Sequence, residues 1–344
     1  MGVKRSKALV ASIGLSVLFL TVYGGCNWIT ARRANVGTLY FEWERAIPFV
    51  PFFILPYMSI DLFFVVAPFL CRSDRELSVL AKRIATAIIV AGICFICFPF
   101  RFAFTRPHVD GWVGALFDWF RGMDAPYNLL PSLHAAFTLI LCDIYFRRTR
   151  GFIRLAIMIW FVLIGLSPVL TYQHHLIDIV GGFALAGYCF YAFRERTPSL
   201  PVIANRRIGS YYAAGAAVVL VLAAILWPWG VLLLWPAIAL GIVAVGYFKA
   251  GPIVFHKTEG KLPWSARFVL APYLFGQYLS LLYYRGQCRA WDKVTPEIWI
   301  GAKLDSRAAK KALSSGVVSV LDLSAEFSEA KPFREINYRN IPVL

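Results

Sequence analysis

Asn128-Leu-Leu-Pro131-Ser132-Leu-His134 and Thr171-Tyr-Gln173-His174-His175-Leu-Ile-Asp178 interrupt an otherwise apolar sequence. Each sits at the end of a segment greasy enough to cross a bilayer. An ionisable side chain there costs roughly 2.5 to 3.5 kcal/mol, so it marks a functional site by default. The fold follows from what surrounds these two stretches.

Of the 344 residues 59% are hydrophobic and only 16% charged, against about 25% charged in a soluble domain. The sequence therefore predicts an integral membrane protein. Eight segments have the apolar length that about 30 Å of hydrocarbon demands. They lie near 8–23, 48–70, 84–100, 129–146, 152–172, 175–193, 211–228 and 231–248. The first reads as a retained membrane helix, because no small-x-small cleavage site follows it.

The net charge of +16 raises the possibility of nucleic-acid binding, but its distribution argues for topology instead. Basic residues cluster before the first segment (Lys4, Arg5, Lys7), between the second and third (Arg72, Arg75, Lys82, Arg83), and between the fourth and fifth (Arg147, Arg148, Arg150, Arg154). The turn at 166–174 has none. By the positive-inside rule both termini are expected in the cytoplasm, with the two polar stretches on the outer face of an inner (plasma) membrane of bacterial type. The basic loops then meet anionic lipid, and no nucleic-acid partner is expected.

Cys94 and Cys97 form a C-x-x-C inside an apolar helix, where small apolar packing is the plainer reading; no disulfide, metal or other cofactor is expected. Residues 31–47 mix charges with Leu39, Tyr40, Phe41 and Trp43, as a short interfacial anchor helix does. Phe268 to Tyr284 is apolar but broken by Pro272, Gly276 and Gln277, which favours an interfacial helix over a ninth span.

The chemistry lies in five residues. His174 and Asp178, four apart, share one face of a helix, whereas His175 points about 100 degrees away. A carboxylate one turn away holds an imidazole in one tautomer and makes it more nucleophilic. His134 can protonate a leaving oxygen. Arg106, placed at a chain reversal by Pro107, and Ser132, at the start of a helix whose first turn is expected to contain Pro131, can hold phosphoryl charge. Taken singly each residue has a duller explanation, since a lone histidine at a helix end is usually just hydrogen-bonded and Ser132 can simply cap. Their convergence on one side of the membrane carries the functional reading.

Arg-Pro, Pro-Ser-x-His and His-x-x-x-Asp in this order on consecutive membrane helices resemble the type 2 phosphatidic acid phosphatase superfamily over about residues 80–195. That superfamily includes lipid phosphatases, sphingomyelin and inositol phosphorylceramide synthases, and vanadium haloperoxidases; the soluble haloperoxidases do not fit this composition. The resemblance implies His174 as nucleophile, Asp178 as its orienting carboxylate, His134 as the acid, and Arg106 with Ser132 as phosphate binders. Two positions depart from the pattern. Pro99 stands where a lysine usually opens the first motif, and Arg101 is the expected substitute for its charge. Ser167-Pro168 stands where Ser-Arg usually opens the third, and with Thr171 and Gln173 this looks more like the phosphotransferase branch.

From Trp291 the sequence turns soluble. Ile298-Trp-Ile-Gly301 and Gly316-Val-Val-Ser-Val-Leu-Asp-Leu323 read as strands around a basic helix at 306–315, with a third strand beginning near Tyr338. This resembles the opening of a dual-specificity phosphatase domain, but His-Cys-x-x-Gly-x-x-Arg is missing, so no catalysis is assigned to it. The pattern stops short of a complete domain, and the sequence reads as a piece of a longer chain.

The expectation is thus an all-α polytopic membrane bundle, a six-helix phosphatase core plus two extra membrane helices, followed by a partial cytoplasmic α/β segment. Its parts are N-terminal membrane helices (1–80), a catalytic core (81–195), two further membrane helices (196–249), an interfacial linker (250–290) and the incomplete α/β region (291–344). The expected activity is that of a lipid phosphatase acting on a lipid phosphate or pyrophosphate through a phosphohistidine. The alternative is a phosphotransferase that moves a phospho-headgroup to an alcohol. The membrane lipid is the expected partner, and the sequence leaves the oligomeric state open.

Overall fold

The computed structural model describes residues 3–123, 125–195, 204–227 and 229–344, so the start of the expected 196–249 segment lies outside the described residues. The chain forms two compact units, Met1–Glu195 and Arg196–Leu344. It is an all-helical multi-pass bundle with little sheet.

Unit 1 contains α1 (Arg5–Thr30), α2 (Ile54–Val66), α3 (Asp74–Cys97), α4 (Gly111–Met123), α5 (Leu133–Arg148), α6 (Gly151–Leu170) and α7 (Leu176–Ala192). 3-10 turns at Pro51–Phe53 and Ala67–Leu70 extend α2 at both ends. The core joins α1, α2, α3, α5, α6 and α7, and α5 lies deepest: Ala136, Ile140, Leu141 and Ile144 are sealed from solvent.

Among the described residues six helical stretches are long and apolar enough to span a bilayer, and α1, the extended α2, α3 and α6 are four of them. At 16 and 17 residues, α5 and α7 fall short of the roughly 20 that a full crossing requires. They are shorter than the sequence predicts because both polar stretches form irregular backbone rather than helix. Pro131 is the clearest case: it lies outside α5, which begins at Leu133 with Ser132 as its N-cap, and not in the first turn. Non-helical backbone next to spans is tolerated only where protein covers its polar groups, and Asn128, Ser132, Thr171 and His175 are all buried.

At the end of the bundle away from the histidines, charges tie the helices together. Glu76, in the first turn of α3, pairs with Arg147 (3.0 Å) and Arg148 from the last turn of α5. Each charge thereby complements the dipole of its own helix. Arg83 donates to the Phe193 carbonyl (2.8 Å) and to Asp143 (3.3 Å).

Unit 2 opens with an apolar hairpin of α8 (Arg206–Ile225) and α9 (Leu234–Val245). The short α10 (Trp264–Val269) and α11 (Ala271–Arg285) follow; at about 22 Å by helical rise, α11 is short for a span. Next come β1 (Trp291–Lys293) antiparallel to β2 (Trp299–Gly301), α12 (Ser306–Ser314), β3 (Ser319–Asp322), α13 (Lys331–Arg334), and β4 (Asn337–Asn340), which runs parallel to β3. Asp305 caps α12 by accepting from the Arg307 and Ala308 N–H groups.

Candidate active site

Gly181 and Gly182 let the first polar stretch reach the second. A Cβ on Gly182 would stand 2.2 Å from the Ser132 carbonyl oxygen and 2.8 Å from Ala135 Cβ. With no Cβ there, the start of α5 lies directly on the first turns of α7, and the Ser132 N–H donates to the Asp178 carbonyl (3.0 Å). His134, two residues after Ser132, is thereby carried to the same end of the bundle as His174.

His174 and Asp178 are both buried, with His174 Nδ1 3.5 Å from Asp178 Oδ2. That is an ion-pair distance and slightly long for a hydrogen bond; catalytic contacts often tighten only around a bound substrate. Asp178 Oδ2 also accepts from the His175 N–H (2.8 Å), so one carboxylate both caps α7 and faces the histidine.

His134 Nε2 lies 3.2 Å from the Ile164 carbonyl. A carbonyl only accepts, so Nε2 carries the proton and Nδ1 is the nitrogen left for proton transfer. This carbonyl is open because of Pro168. In a regular helix the N–H of residue 168 would bond to the oxygen of residue 164, and proline has none. Ser167 Oγ (2.7 Å) and His134 take its place. The Pro168 carbonyl in turn accepts from the Gln173 (2.8 Å) and His174 (3.0 Å) N–H groups, which closes the α6–α7 turn. The residue that departs from the expected Ser-Arg thus fixes both histidines. Tyr57 stacks on His134 at 4.4 Å and is held in turn by Phe120 and Phe117 of α4.

Arg106 is half-buried, and its Nε donates to the Tyr172 carbonyl (2.9 Å), two residues before His174. Ser132 is buried, and its Oγ accepts from the Ala135 N–H, so it serves as a helix cap. Arg101 is not gathered with the others. Its backbone pairs with Gly37 (2.8 Å), and it lines an open recess with Arg33, Asn35 and Tyr127 that includes neither histidine. Thr171 Oγ1 is engaged by the Ser167 carbonyl, whereas the buried Oε1 of Gln173 meets no hydrogen-bond partner.

Glu44 is not among the expected site residues; in the sequence it reads only as one of the charges of the 31–47 stretch. Instead of an anchor helix, residues 42–46 form a 3-10 turn whose Glu44 is buried and grips the α7 N-terminus. Its carboxylate accepts from the Phe41 N–H (2.8 Å), the Leu176 N–H (3.0 Å) and His175 Nδ1 (3.2 Å). His175 Nε2 accepts from the Ala103 N–H (3.1 Å), so the ring is neutral with its proton on Nδ1. Fully buried and stacked against Phe102 (4.4 Å) and Tyr40 (5.2 Å), His175 ties the 40–46 turn, the 102–104 segment and the start of α7 together. No local motif marks Glu44: Phe41 at the turn's N-cap has no side-chain acceptor to complete a capping box, only the return contact from Glu44 to the Phe41 N–H is made, and the His175 partner lies 131 positions away.

Residues 52–192 match the model of a protein family described as the PAP2 superfamily. The matched range contains Arg106, Ser132, His134, Pro168, His174 and Asp178. Searches of curated proteins and of solved structures found no match.

Proposed function

We propose that unit 1 is a lipid phosphatase that works through a phosphohistidine at His174. The observation that carries this reading is the buried His174, in the turn before α7, facing the buried Asp178 carboxylate at 3.5 Å, while the start of α5, which carries the buried His134, is hydrogen-bonded to the Asp178 carbonyl through Ser132. The family match over residues 52–192 supports phosphoryl-transfer chemistry in the same range.

His174 Nε2 attacks phosphorus while its Nδ1 proton faces Asp178, so the positive charge that develops on the ring is stabilised beside the carboxylate. The P–O bond to the leaving group breaks, its electron pair passes to oxygen, and His134, entering this step as the imidazolium with its Nε2–H on the Ile164 carbonyl, gives its Nδ1 proton to that oxygen. The Arg106 guanidinium, fixed by the Tyr172 carbonyl, balances charge on the phosphoryl oxygens. A water then attacks phosphorus, gives its proton to His134, and the N–P bond breaks to restore His174. The basic clusters support a plasma-membrane setting with this site on the outer face.

One observation favours transfer to an alcohol. The unpartnered Gln173 Oε1, adjacent in sequence to His174, is an acceptor suited to a hydroxyl group. A panel of lipid phosphates and pyrophosphates, assayed with and without alcohol acceptors for released phosphate and new lipid, tests both readings. Phosphate release that His174→Ala abolishes supports hydrolysis; a new lipid formed only when alcohol is present supports transfer. Neither product from any member of the panel would sink the proposal.

A further inference from the structure

Unit 2 contains a basic recess that plays no part in this reaction. Lys257, Thr258, Lys261, Arg334, Tyr338 and Arg339 line most of it, and Glu259 is its one lining carboxylate. Its walls are built and held. The Lys257 ammonium donates to Asp322 Oδ2 (2.6 Å), the Ser324 carbonyl (2.7 Å) and Ser324 Oγ (3.1 Å). Tyr338 donates to the same Asp322 oxygen (2.5 Å), and Asn340 Nδ2 to the Asp322 carbonyl (3.0 Å). Opposite them Thr258 and Lys261 exchange backbone hydrogen bonds around Glu259 and Gly260, both at positive φ. A Cβ on Gly260 would stand 2.4 Å from the Tyr338 hydroxyl, so glycine is what seats this turn against β4.

Asp322 neutralises Lys257. Among the described residues, Lys261, Arg334 and Arg339 have no carboxylate at ion-pair distance, and neither does Glu259 a cation. The recess therefore carries a net charge of about +2 on a rigid frame. The Arg334 guanidinium is further fixed by donating from Nε to the Glu329 carbonyl (3.0 Å). Like charges held together repel, and an anion with several acceptor oxygens relieves that repulsion while meeting guanidinium and ammonium donors. A phosphate group, about −1.5 to −2 near neutral pH as free phosphate or a monoester and about −1 as a diester headgroup, has the sign and the acceptor oxygens these donors fit.

We propose that this recess is a second phosphate-binding site, for either a lipid headgroup or a soluble phosphate, separate from the histidine site and independent of its reading. The test is hydrogen–deuterium exchange on the full chain in nanodiscs. One arm adds inorganic phosphate to phosphatidylcholine discs, with chloride at equal ionic strength as control. The other replaces part of the phosphatidylcholine with phosphatidylglycerol and adds no phosphate. With ligand about tenfold above its dissociation constant, amides at 257–262 and 334–342 exchange about tenfold more slowly. Protection in the first arm identifies soluble phosphate as the source; protection only in the second identifies the headgroup. In both, K261A/R339A loses the protection while activity on lipid phosphates and exchange of the membrane helices stay unchanged. The charge-reversing R339E loses it too. No protection in either arm, equal protection by chloride, or protection that survives in both variants overturns the proposal.

Discussion

His134 is held by a carbonyl that Pro168 releases: its Nε2 lies 3.2 Å from the Ile164 oxygen, the acceptor that the N–H of residue 168 would otherwise occupy. Pro168→Ala restores that N–H and makes it compete with the imidazole. The same change removes a helix-breaking residue, which on propensity alone stabilises α6, by up to about 3 kcal/mol. Activity and stability should therefore move in opposite directions. Turnover on a lipid phosphate is expected to fall by about tenfold, the scale of one neutral hydrogen bond, while the melting temperature holds or rises. A variant that keeps full turnover would show that the Ile164 contact does not orient His134.

His174 and His175 are adjacent but have opposite tasks. His174→Ala should abolish turnover and leave the melting temperature nearly unchanged, since its Nδ1 makes no hydrogen bond. His175→Ala removes a fully buried ring and leaves the Glu44 carboxylate and the Ala103 N–H each short of a partner. It should cost roughly 3 to 5 kcal/mol of stability and leave the folded fraction within about tenfold of normal turnover. Glu44→Gln should behave like a milder His175→Ala. Turnover normalised to folded protein, measured beside thermal unfolding in detergent, separates the two roles; loss of turnover alone in His175→Ala would exchange them.

These contrasts show what the sequence could and could not reveal. The His174–Asp178 pair is close in sequence and so easily suspected, but a shared helix face is not what joins it: His174 lies in the turn before α7, and Asp178 in the first turn of α7 faces back towards it. The membrane segments were legible because apolar length is a property of contiguous residues. The partnership of Glu44 with His175 is not local, and an acidic residue among exposed aromatics reads as interfacial until the chain folds back. Pro168 was visible as a departure, but its consequence acts on a carbonyl four residues earlier and reaches a side chain on another helix. Arg101 lines a recess with Arg33 and Tyr127 that contains neither histidine, a placement that charge type alone could not reveal.

Gly182 sets the distance between α5 and α7. Gly182→Ala would drive a Cβ into the Ser132 carbonyl and the Ala136 N–H, backbone atoms that cannot rotate away. The helices must part, and a displacement on the order of 1 Å at a reacting group can cost about a hundredfold in rate. Gly165→Ala in α6 is the control, because its Cβ would meet only Thr138 Cγ2 at an ordinary 3.6 Å. Steady-state turnover of the two variants should differ by about that factor. Equal activity would mean that the close approach of α5 and α7 does not govern the histidine pair.

Asp178→Asn separates the carboxylate's two roles. Asparagine accepts from the His175 N–H as well as aspartate does, so the cap on α7 and the stability it confers should survive. The negative charge facing His174 Nδ1 disappears, and the amide can present an N–H that favours the wrong imidazole tautomer. In a serine protease triad the equivalent loss lowers turnover about 10⁴-fold. Here the contact is a longer 3.5 Å, so a fall of about 10³-fold is expected, with the melting temperature within a few degrees of the unaltered protein. Single-turnover trapping of acid-labile phosphoprotein locates the defect: if Asp178 orients the nucleophile, formation of the phosphohistidine slows. If formation is normal and only its hydrolysis slows, the carboxylate acts on the attacking water instead.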